Sequence, residues 1–426
     1  MTRNGLRGTL AGAALLAVPA LTAGGAHAGP ALLVDAASGQ VLYEEQAVDP
    51  WFPASVTKLM TTYVVLKEVR DGRLSLDTPL KVSANATRTP PSRMGFKPGT
   101  VLTVDNVLKM MLVKSANDLA VVLAENVAGS VDAFAAVMNG EARRLGMHGS
   151  YFVNPHGLPD TRQRVTARDL AVLARALLND FPQFRPYFGI GGVQLGKKIY
   201  QNTNGLIGRY PGADGMKTGF ICASGFNVVA TARRGGQQLI VVLLGERTAA
   251  ARTIHAAELF DRGFSGPRTG TRQLDSMPPG PVAAAPDMRE EICGKNRQHL
   301  ADDDNAPVHA GVADDGSAIG FLTATAQQQR PTTVVEGERP GTLIKRAAVA
   351  PIPVFTGPAP GWKPAVAPTT VAAAPAAPES AQAFAAAPAA EAVAEGSAPV
   401  ALQGAIRQGA ARPARAAGMP LPPRRP

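Results

Sequence analysis

The chain has 426 residues, room for two or three domains at ~100–200 residues each, and its 45% hydrophobic content excludes a wholly disordered protein. Its two cysteines form no CxxC pair and are too few for a disulfide scaffold. The net charge is +10, but the basic residues are scattered or lie near the C-terminus, without interleaved aromatic residues. We therefore expect no nucleic-acid partner.

Residues 1–28 have the pattern of a secretory signal peptide. Arg3 and Arg7 precede an apolar run from Leu10 to Leu21, and Ala26-His27-Ala28 provides an A-x-A cleavage site. The run is shorter than the ~20 residues that span a bilayer, which disfavours an uncleaved membrane anchor. We expect an exported protein of the periplasm or cell envelope.

Residues 30–264 show strand and helix patterns that predict one α/β domain. Ala31–Val34 and Val41–Tyr43 flank a turn and predict a β-hairpin. The following patterns predict, in chain order, helices over Leu59–Val69, from Val104, over Ala116–Ala128, Asp132–Leu145 and Thr166–Leu178, then strands Phe226–Thr231 and Gln238–Leu244 and a helix Thr248–Phe260. Strands at both ends indicate a sheet that pairs the N-terminal hairpin with the C-terminal strands, with a helical region inserted between them.

The rest of the chain predicts no second globular domain. Residues 265–345 are expected to be mostly irregular, with short elements docked on the α/β domain. Val371–Val400 contains 15 Ala, 4 Pro and one aromatic residue, too little apolar surface to offset chain entropy. Residues 346–426 are therefore predicted to form a disordered, Ala/Pro-rich basic tail. We favour a soluble spacer, with peripheral association with lipid or anionic envelope polymers as the alternative.

Three short motifs carry candidate chemistry. Ser55-Val-Thr-Lys58 lies at a predicted helix start, where i, i+3 spacing lets the lysine amine reach the serine hydroxyl and the helix N-terminus stabilises a developing alkoxide. Ser115-Ala-Asn117 follows between two helices and offers a hydroxyl for proton relay and an amide to orient a substrate carbonyl. Lys217-Thr218-Gly219 opens the strand region with a charge, a hydroxyl and a residue that allows close approach to the backbone.

Together, S-x-x-K, S-x-N and K-T-G in this order resemble penicillin-binding proteins and serine β-lactamases. Four longer segments are similar to low-molecular-weight D-alanyl-D-alanine carboxypeptidases of the S11 type: Pro53-Ala-Ser-Val-Thr-Lys-Leu-Met60, Lys114-Ser-Ala-Asn-Asp118, Asn154-Pro-His-Gly-Leu158 and Asp214-Gly-Met-Lys-Thr-Gly219. The resemblance covers about residues 30–264. It implies an antiparallel sheet with flanking helices and a helical subdomain, with the site in the cleft between them.

The resemblance also implies a role for each catalytic residue. Ser55 is the nucleophile, and Lys58 is its base once burial and the charge of Lys217 lower the lysine pKa from ~10.4. Ser115 passes a proton to the leaving amine. The backbone N–H groups of Ser55 and Phe220 form the oxyanion hole.

Substrate binding is expected from Asn117, Lys217, Thr218, Gly219 and Phe220. Arg252 is a further candidate for the substrate carboxylate because the family carries an arginine in the final helix; the alternative is a solvated helix residue. The implied substrate is a peptidoglycan stem peptide that loses its terminal D-alanine, with β-lactams as covalent inhibitors.

The residues alone leave three alternatives to a carboxypeptidase function. A class A β-lactamase is disfavoured because no Glu lies between Glu141 and Glu246 and the second motif reads Ser-Ala-Asn. A DD-endopeptidase that cleaves cross-links would use the same motifs. A catalytically idle penicillin-binding sensor is disfavoured because all motif residues are present.

The remaining conspicuous residues carry more modest expectations. The histidines show no metal-binding spacing, so we expect no metal or cofactor. His156 is expected to have a structural hydrogen-bonding role. Cys222 is expected to be a small core residue, with pairing to Cys293 in an oxidising compartment as the open alternative.

Overall fold

The computed structural model describes residues 29–266, 272–281, 283–294, 341–347 and 349–358. The strands are β1 (Ala31–Asp35), β2 (Val41–Glu45), β3 (Pro79–Lys81), β4 (Val101–Thr103), β5 (Gly192–Leu195), β6 (Lys198–Gln201), β7 (Ala213–Ile221), β8 (Gly225–Arg234), β9 (Gln237–Glu246) and β10 (Ile352–Val354). The α-helices are α1 (Lys58–Arg70), α2 (Ala84–Thr87), α3 (Val104–Lys114), α4 (Asn117–Ala128), α5 (Val131–Arg144), α6 (Ala167–Asp180), α7 (Arg185–Phe188), α8 (Ala249–Ser265) and α9 (Arg289–Cys293). Short 3-10 helices span Ala54–Thr57, Pro182–Phe184 and Leu274–Ser276.

The central sheet has five antiparallel strands in the order β2-β1-β9-β8-β7. This order confirms the prediction that the N-terminal hairpin pairs with the C-terminal strands. Along β9, alternate side chains enter two separate cores, because Ile240 and Val242 face the core that contains α6 whereas Val241 and Leu243 face the core that contains α8. A strand covered on both faces explains its continuous apolar sequence.

The helical subdomain packs on one side of this sheet around α1 and α4, whose side chains are almost all buried. Its predicted helices are present within one or two residues of their expected ends. The predicted cap at the start of α6 is also present, since the hydroxyl of Thr166 accepts a hydrogen bond from the N–H of Asp169 at 3.0 Å. Among the described residues, no single helix is long and apolar enough to cross a membrane.

The region after α8 contributes short elements to this domain. Leu274 and Ile292 are buried, and α9 is joined to the turn after β7 by a disulfide between Cys222 and Cys293. The expectation that Cys222 is a free core residue was therefore wrong. The oxidised pair was the alternative that the sequence left open, because cysteine spacing alone does not report distance in space.

Strand β10 differs from the prediction of disorder from residue 346 onward. It pairs in parallel with β5, and Val354 is buried in the larger core. The pattern comprises only Ile352-Pro-Val354 after another proline, which is too short to be distinguished from a linker by periodicity. The predicted signal peptide and the tail beyond residue 358 lie outside the described residues.

Candidate active site

Ser55 and Lys58 lie at the junction of a 3-10 helix and α1. Ser55 is in the 3-10 turn Ala54–Thr57, and Lys58 is the first residue of α1. The amine Nζ of Lys58 is 2.9 Å from Ser55 Oγ, so the i, i+3 spacing places the two groups in hydrogen-bond contact as predicted. The side chain of Lys58 is fully buried, whereas Ser55 lines the cavity described below.

Lys58 has two further hydrogen-bond partners. Its Nζ donates to Asn117 Oδ1 at 2.7 Å and to the carbonyl oxygen of His156 at 2.9 Å. Burial and then the charge of Lys217 lower the pKa of Lys58 well below its ordinary value of 10.5, against an opposing contribution from Asp118. The amine is thus held in surroundings that favour its neutral form.

Ser115 and Asn117 come from the sharp turn between α3 and α4. Ser115 adopts a left-handed conformation at φ 63°, and its buried Oγ has no hydrogen-bond partner among the described residues. The side-chain nitrogen of Asn117 donates to the carbonyl oxygens of Pro90 and Pro91, at 3.1 and 3.0 Å. The amide of Asn117 therefore orients Lys58 with its oxygen and fixes a loop of the cleft with its nitrogen.

Strand β7 is the outermost strand of the central sheet and carries the third motif. Lys217 is 1% exposed, and its Nζ donates to the carbonyl oxygen of Thr218 at 2.9 Å. Thr218 Oγ1 lies 2.8 Å from Thr203 Oγ1. A Cβ on Gly219 would lie 2.8 Å from the backbone nitrogen of Ser55, so this glycine allows the nucleophile segment to pack against β7.

A cavity of about 340 Å³ lies at this junction. Its lining brings Ser55, Asn117 and Phe220 together, and contains no aspartate or glutamate. The full lining is Ser55, Pro91, Asn117, His156, Gly157, Leu158, Pro159, Phe220, Ile221, Cys222, Ala223 and Arg289. Within the described part of the chain, no group of three or more His, Cys, Asp or Glu residues could hold a metal ion.

Arg252 is placed behind the cavity wall. It is 2% exposed, which overturns the alternative of a solvated helix residue. Its guanidinium lies 6.0 Å from the ring centre of Phe226, and that ring lies 4.2 Å from the ring of Phe220. Helix amphipathicity could not reveal this, because an arginine on an amphipathic helix is ordinarily assigned to the polar face.

Two supporting residues lie in the family-like segments, and of these only His156 was given a role from the sequence. The carboxylate of Asp118 accepts hydrogen bonds from the N–H groups of Met94 and Gly95, and burial raises its pKa. His156 has the predicted structural role, since its ring Nδ1 accepts from the N–H of Leu158 at 3.1 Å. Burial, and after it the positive charge that Lys58 carries when protonated, lowers the pKa of His156 to about 3.

Gly157, which follows His156, is a second position at which the site requires glycine. It has φ +87°, and a Cβ there would collide with the carbonyl oxygen of Ala54. The loop that delivers the His156 carbonyl to Lys58 therefore requires glycine for both its conformation and its packing.

The amino-acid sequence of this chain is similar to those of known proteins. The profile of the D-alanyl-D-alanine carboxypeptidase family, peptidase S11, matches residues 18–248. D-alanyl-D-alanine carboxypeptidase DacC of Escherichia coli K12 is 36% identical over 61% of this chain and 69% of that protein. DacF of Bacillus subtilis 168 is 32% identical over 55% of this chain and 61% of that protein. The matches thus span only 61% to 69% of these relatives' own length.

Solved structures show the same fold, a mixed α/β arrangement with an antiparallel sheet and flanking helices. Penicillin binding protein 6B from Escherichia coli superposes with a TM-score of 0.54 at 33% identity, over 56% of this chain and 78% of that chain. Penicillin-Binding Protein D2 from Listeria monocytogenes, in its ampicillin-bound form, superposes with a TM-score of 0.52 at 31% identity. That match covers 56% of this chain and 98% of the other.

Proposed function

Because the chain belongs to the D-alanyl-D-alanine carboxypeptidase family of serine peptidases, we propose that it releases the terminal D-alanine of peptidoglycan stem peptides through an acyl-enzyme on Ser55. The observation that carries this proposal is the 2.9 Å contact between Ser55 Oγ and the fully buried amine of Lys58. A buried amine with a lowered pKa is a competent base for a serine hydroxyl.

The partners of Lys58 suit a neutral amine. A neutral amine has two N–H groups and one lone pair. The carbonyl oxygen of His156 and Oδ1 of Asn117 can only accept, so they take the two N–H groups and leave the lone pair to Ser55. The Ser55 proton then passes to Lys58 as Oγ bonds to the substrate carbonyl carbon, and negative charge develops on the carbonyl oxygen.

Strand β7 provides the surroundings for that charge. The N–H groups of Ser55 and Phe220 are the proposed oxyanion donors, which is supported by the close packing of Ser55 N against Gly219. The C–N bond of the tetrahedral intermediate then breaks, and the proton that Lys58 took from Ser55 passes through Ser115 to the departing D-alanine amine, which returns Lys58 to its neutral form. Water finally hydrolyses the Ser55 ester, with Lys58 again as the base.

The free carboxylate of the substrate is proposed to bind near Lys217 and Thr218. Both lie on β7 ahead of Phe220, with Thr218 Oγ1 held by Thr203. Arg252, buried behind Phe226, adds positive charge on the same side. This arrangement favours a substrate that ends just beyond the scissile bond.

We further propose that β-lactams acylate Ser55 and remain attached. When Ser55 opens a lactam ring, the expelled amine stays bonded to the acyl group and remains in the cavity, whereas D-alanine departs and leaves its place to the water that Lys58 activates. The lining contains no carboxylate that could activate a water from another side. The neutral ring of His156 accepts a hydrogen bond at Nδ1 and carries its proton on Nε2, so it has no free lone pair for this role. The related protein D2 from Listeria monocytogenes was solved in an ampicillin-bound form.

Export to the periplasm or cell envelope is proposed from residues 1–28. The disulfide between Cys222 and Cys293 supports this, because such bonds persist mainly in oxidising compartments. The N-terminal sequence of the protein recovered from the envelope fraction checks it, with Gly29 expected as the first residue.

The function is tested by incubating the purified protein with a stem pentapeptide and, separately, with a cross-linked dimer. We expect D-alanine release from the pentapeptide, at least about 10³-fold slower in Ser55→Ala. Ser276→Ala is the matched control, because Ser276 is an exposed serine that does not line the cavity. Release that survives in Ser55→Ala would contradict the proposal, and exclusive cleavage of the dimer would favour an endopeptidase.

A further inference from the structure

Helix α9 contributes one residue to the cavity lining, although it follows the catalytic motifs by about 70 residues of chain. The N–H of Met288 donates to the carbonyl oxygen of Ala223 at 3.1 Å, Ile292 is buried, and Cys293 is bonded to Cys222. These three attachments hold α9 against the turn that follows β7. The first residue of the helix, Arg289, consequently lines the same cavity as Ser55.

The guanidinium of Arg289 is only weakly engaged within the protein. Its nearest acidic partner is Asp287, whose Oδ2 lies 3.6 Å from Nη1, and the two side chains are 59% and 50% exposed. Exposed pairs at such distances contribute little and exchange partners readily. The cavity lining contains no carboxylate, so the guanidinium of Arg289 gives this part of the cavity a positive charge.

The direction of β7 determines which part of a substrate would meet Arg289. In the proposed function the substrate carboxylate binds beside Lys217 and Thr218, and the scissile carbonyl lies at Ser55 and Phe220. The chain upstream of the scissile bond then runs toward Ile221 and Cys222. At ~3.3 Å per residue, Cys222 is about 7 Å beyond Phe220, the span of the two residues that precede the bond.

We propose that Arg289 is a specificity-determining residue that binds an acidic group on the residue preceding the two terminal D-alanines, and that the Cys222–Cys293 disulfide positions it. This inference rests on the proposed function and names its preferred substrate class, peptides with a carboxylate at that position. The contact is an ion pair at the cavity rim, so it acts on substrate binding and weakens as salt screens it.

The test compares two isosteric substrates, N-acetyl-Glu-D-Ala-D-Ala and N-acetyl-Gln-D-Ala-D-Ala, by D-alanine release at low and high salt. We expect the wild type to prefer the glutamate peptide about fivefold in kcat/KM at low salt, mainly through KM, and less at high salt. In Arg289→Gln the preference should fall to about one, and Arg289→Lys should keep part of it. Reducing the disulfide should also lower it.

The matched control is Arg272→Gln, because Arg272 is likewise exposed and paired with an acidic residue, Glu44, but does not line the cavity. It should keep the wild-type preference. The proposal is overturned if Arg289→Gln retains that preference or if the wild type shows none. A preference that survives reduction overturns the positioning role of the disulfide, and a wild type inactive on both peptides also refutes the proposed function.

Discussion

Ser115 illustrates how a buried polar group is left without a hydrogen-bond partner in the described part of the chain. Buried polar groups in proteins are almost always hydrogen-bonded, because an unpaired one costs free energy. Among the described residues, the Oγ of Ser115 is one of three buried side-chain atoms without a partner, the others being Thr57 Oγ1 and Arg168 Nε. Of these three residues, Ser115 is the one whose backbone is also in the left-handed region. Both features are expected of a group kept for a substrate rather than for stability.

Replacing Ser115 with alanine should therefore separate activity from stability. The change removes the proposed relay hydroxyl, so we expect kcat for D-alanine release to fall about 10²-fold or more. The free energy of unfolding should stay within about 0.5 kcal/mol of the wild type, because no hydrogen bond within the described structure is lost. Steady-state kinetics and urea unfolding measure the two quantities.

Ser130→Ala is the contrasting control. Ser130 caps α5 by accepting a hydrogen bond from the N–H of Ala133 at 3.1 Å, and it does not line the cavity. Its loss should cost about 1 kcal/mol of stability and leave kcat unchanged. A Ser115→Ala protein that behaved like Ser130→Ala would show that the hydroxyl of Ser115 has only a structural role.

At the scale of elements, the site depends on how closely the 3-10 turn with Ser55 approaches β7. Gly219→Ala would place a methyl group 2.8 Å from Ser55 N and 3.1 Å from Ala54 Cβ, so the turn must move away from the strand. We expect acylation of Ser55 by a β-lactam to slow by about 10²-fold, since displacements of ~1 Å have such effects on positioned groups. Stopped-flow acylation measures it.

The matched substitution is Gly140→Ala in α5, where an added Cβ meets nothing within 4 Å. It should leave acylation unchanged and raise the free energy of unfolding by about 0.5–1 kcal/mol, because alanine favours a helix over glycine. Wild-type acylation in Gly219→Ala would mean that the contact between the turn and β7 is not needed for chemistry.

The sequence predicts the elements whose patterns are long and locally determined. The hairpin β1–β2, the main helices and the cap at Thr166 follow from periodicity and local hydrogen bonding. Ser55 and Lys58 meet because they are three positions apart at a helix start. The short strands β3 to β6 and β10 have three or four residues each, too few for a period to emerge.

Contacts made across long stretches of chain could not be predicted in this way. The sequence shows that Gly219 allows close approach to the backbone but not what approaches it. In the structure, the segment that carries Ser55 does so. Through the packing of α9, Arg289 reaches the cavity and Cys293 reaches Cys222, and local sequence patterns do not reveal either contact. Arg252 is buried because it packs behind Phe226, and the sequence of its own helix does not reveal that contact.

At the scale of the whole molecule, the segments after α8 that the structure describes, up to β10, pack on the folded domain. The disulfide joins positions 71 residues apart and thereby ties α9 to the end of β7. Opening a loop of that length should lower the free energy of unfolding by about 2–4 kcal/mol, since the unfolded chain regains the corresponding entropy. Urea unfolding with and without reductant, and of Cys222→Ser/Cys293→Ser, measures this loss. If the protein with the disulfide and the protein without it had the same free energy of unfolding, α9 would not contribute to the global fold.

The central claim, that a neutral Lys58 is the base for Ser55, is tested most directly by titrating its ε-carbon by NMR, with the resonance assigned from Lys58→Arg. The pKa should lie well below 10.5, and Lys217→Gln should raise it, because removing a neighbouring positive charge favours the protonated amine. As only the deprotonated amine accepts the serine proton, Ser55 acylation should increase with pH through the same pKa, and Lys217→Gln should move that rise to higher pH. A Lys58 that titrates at or above 10.5, with acylation already complete below that pH, would contradict this mechanism.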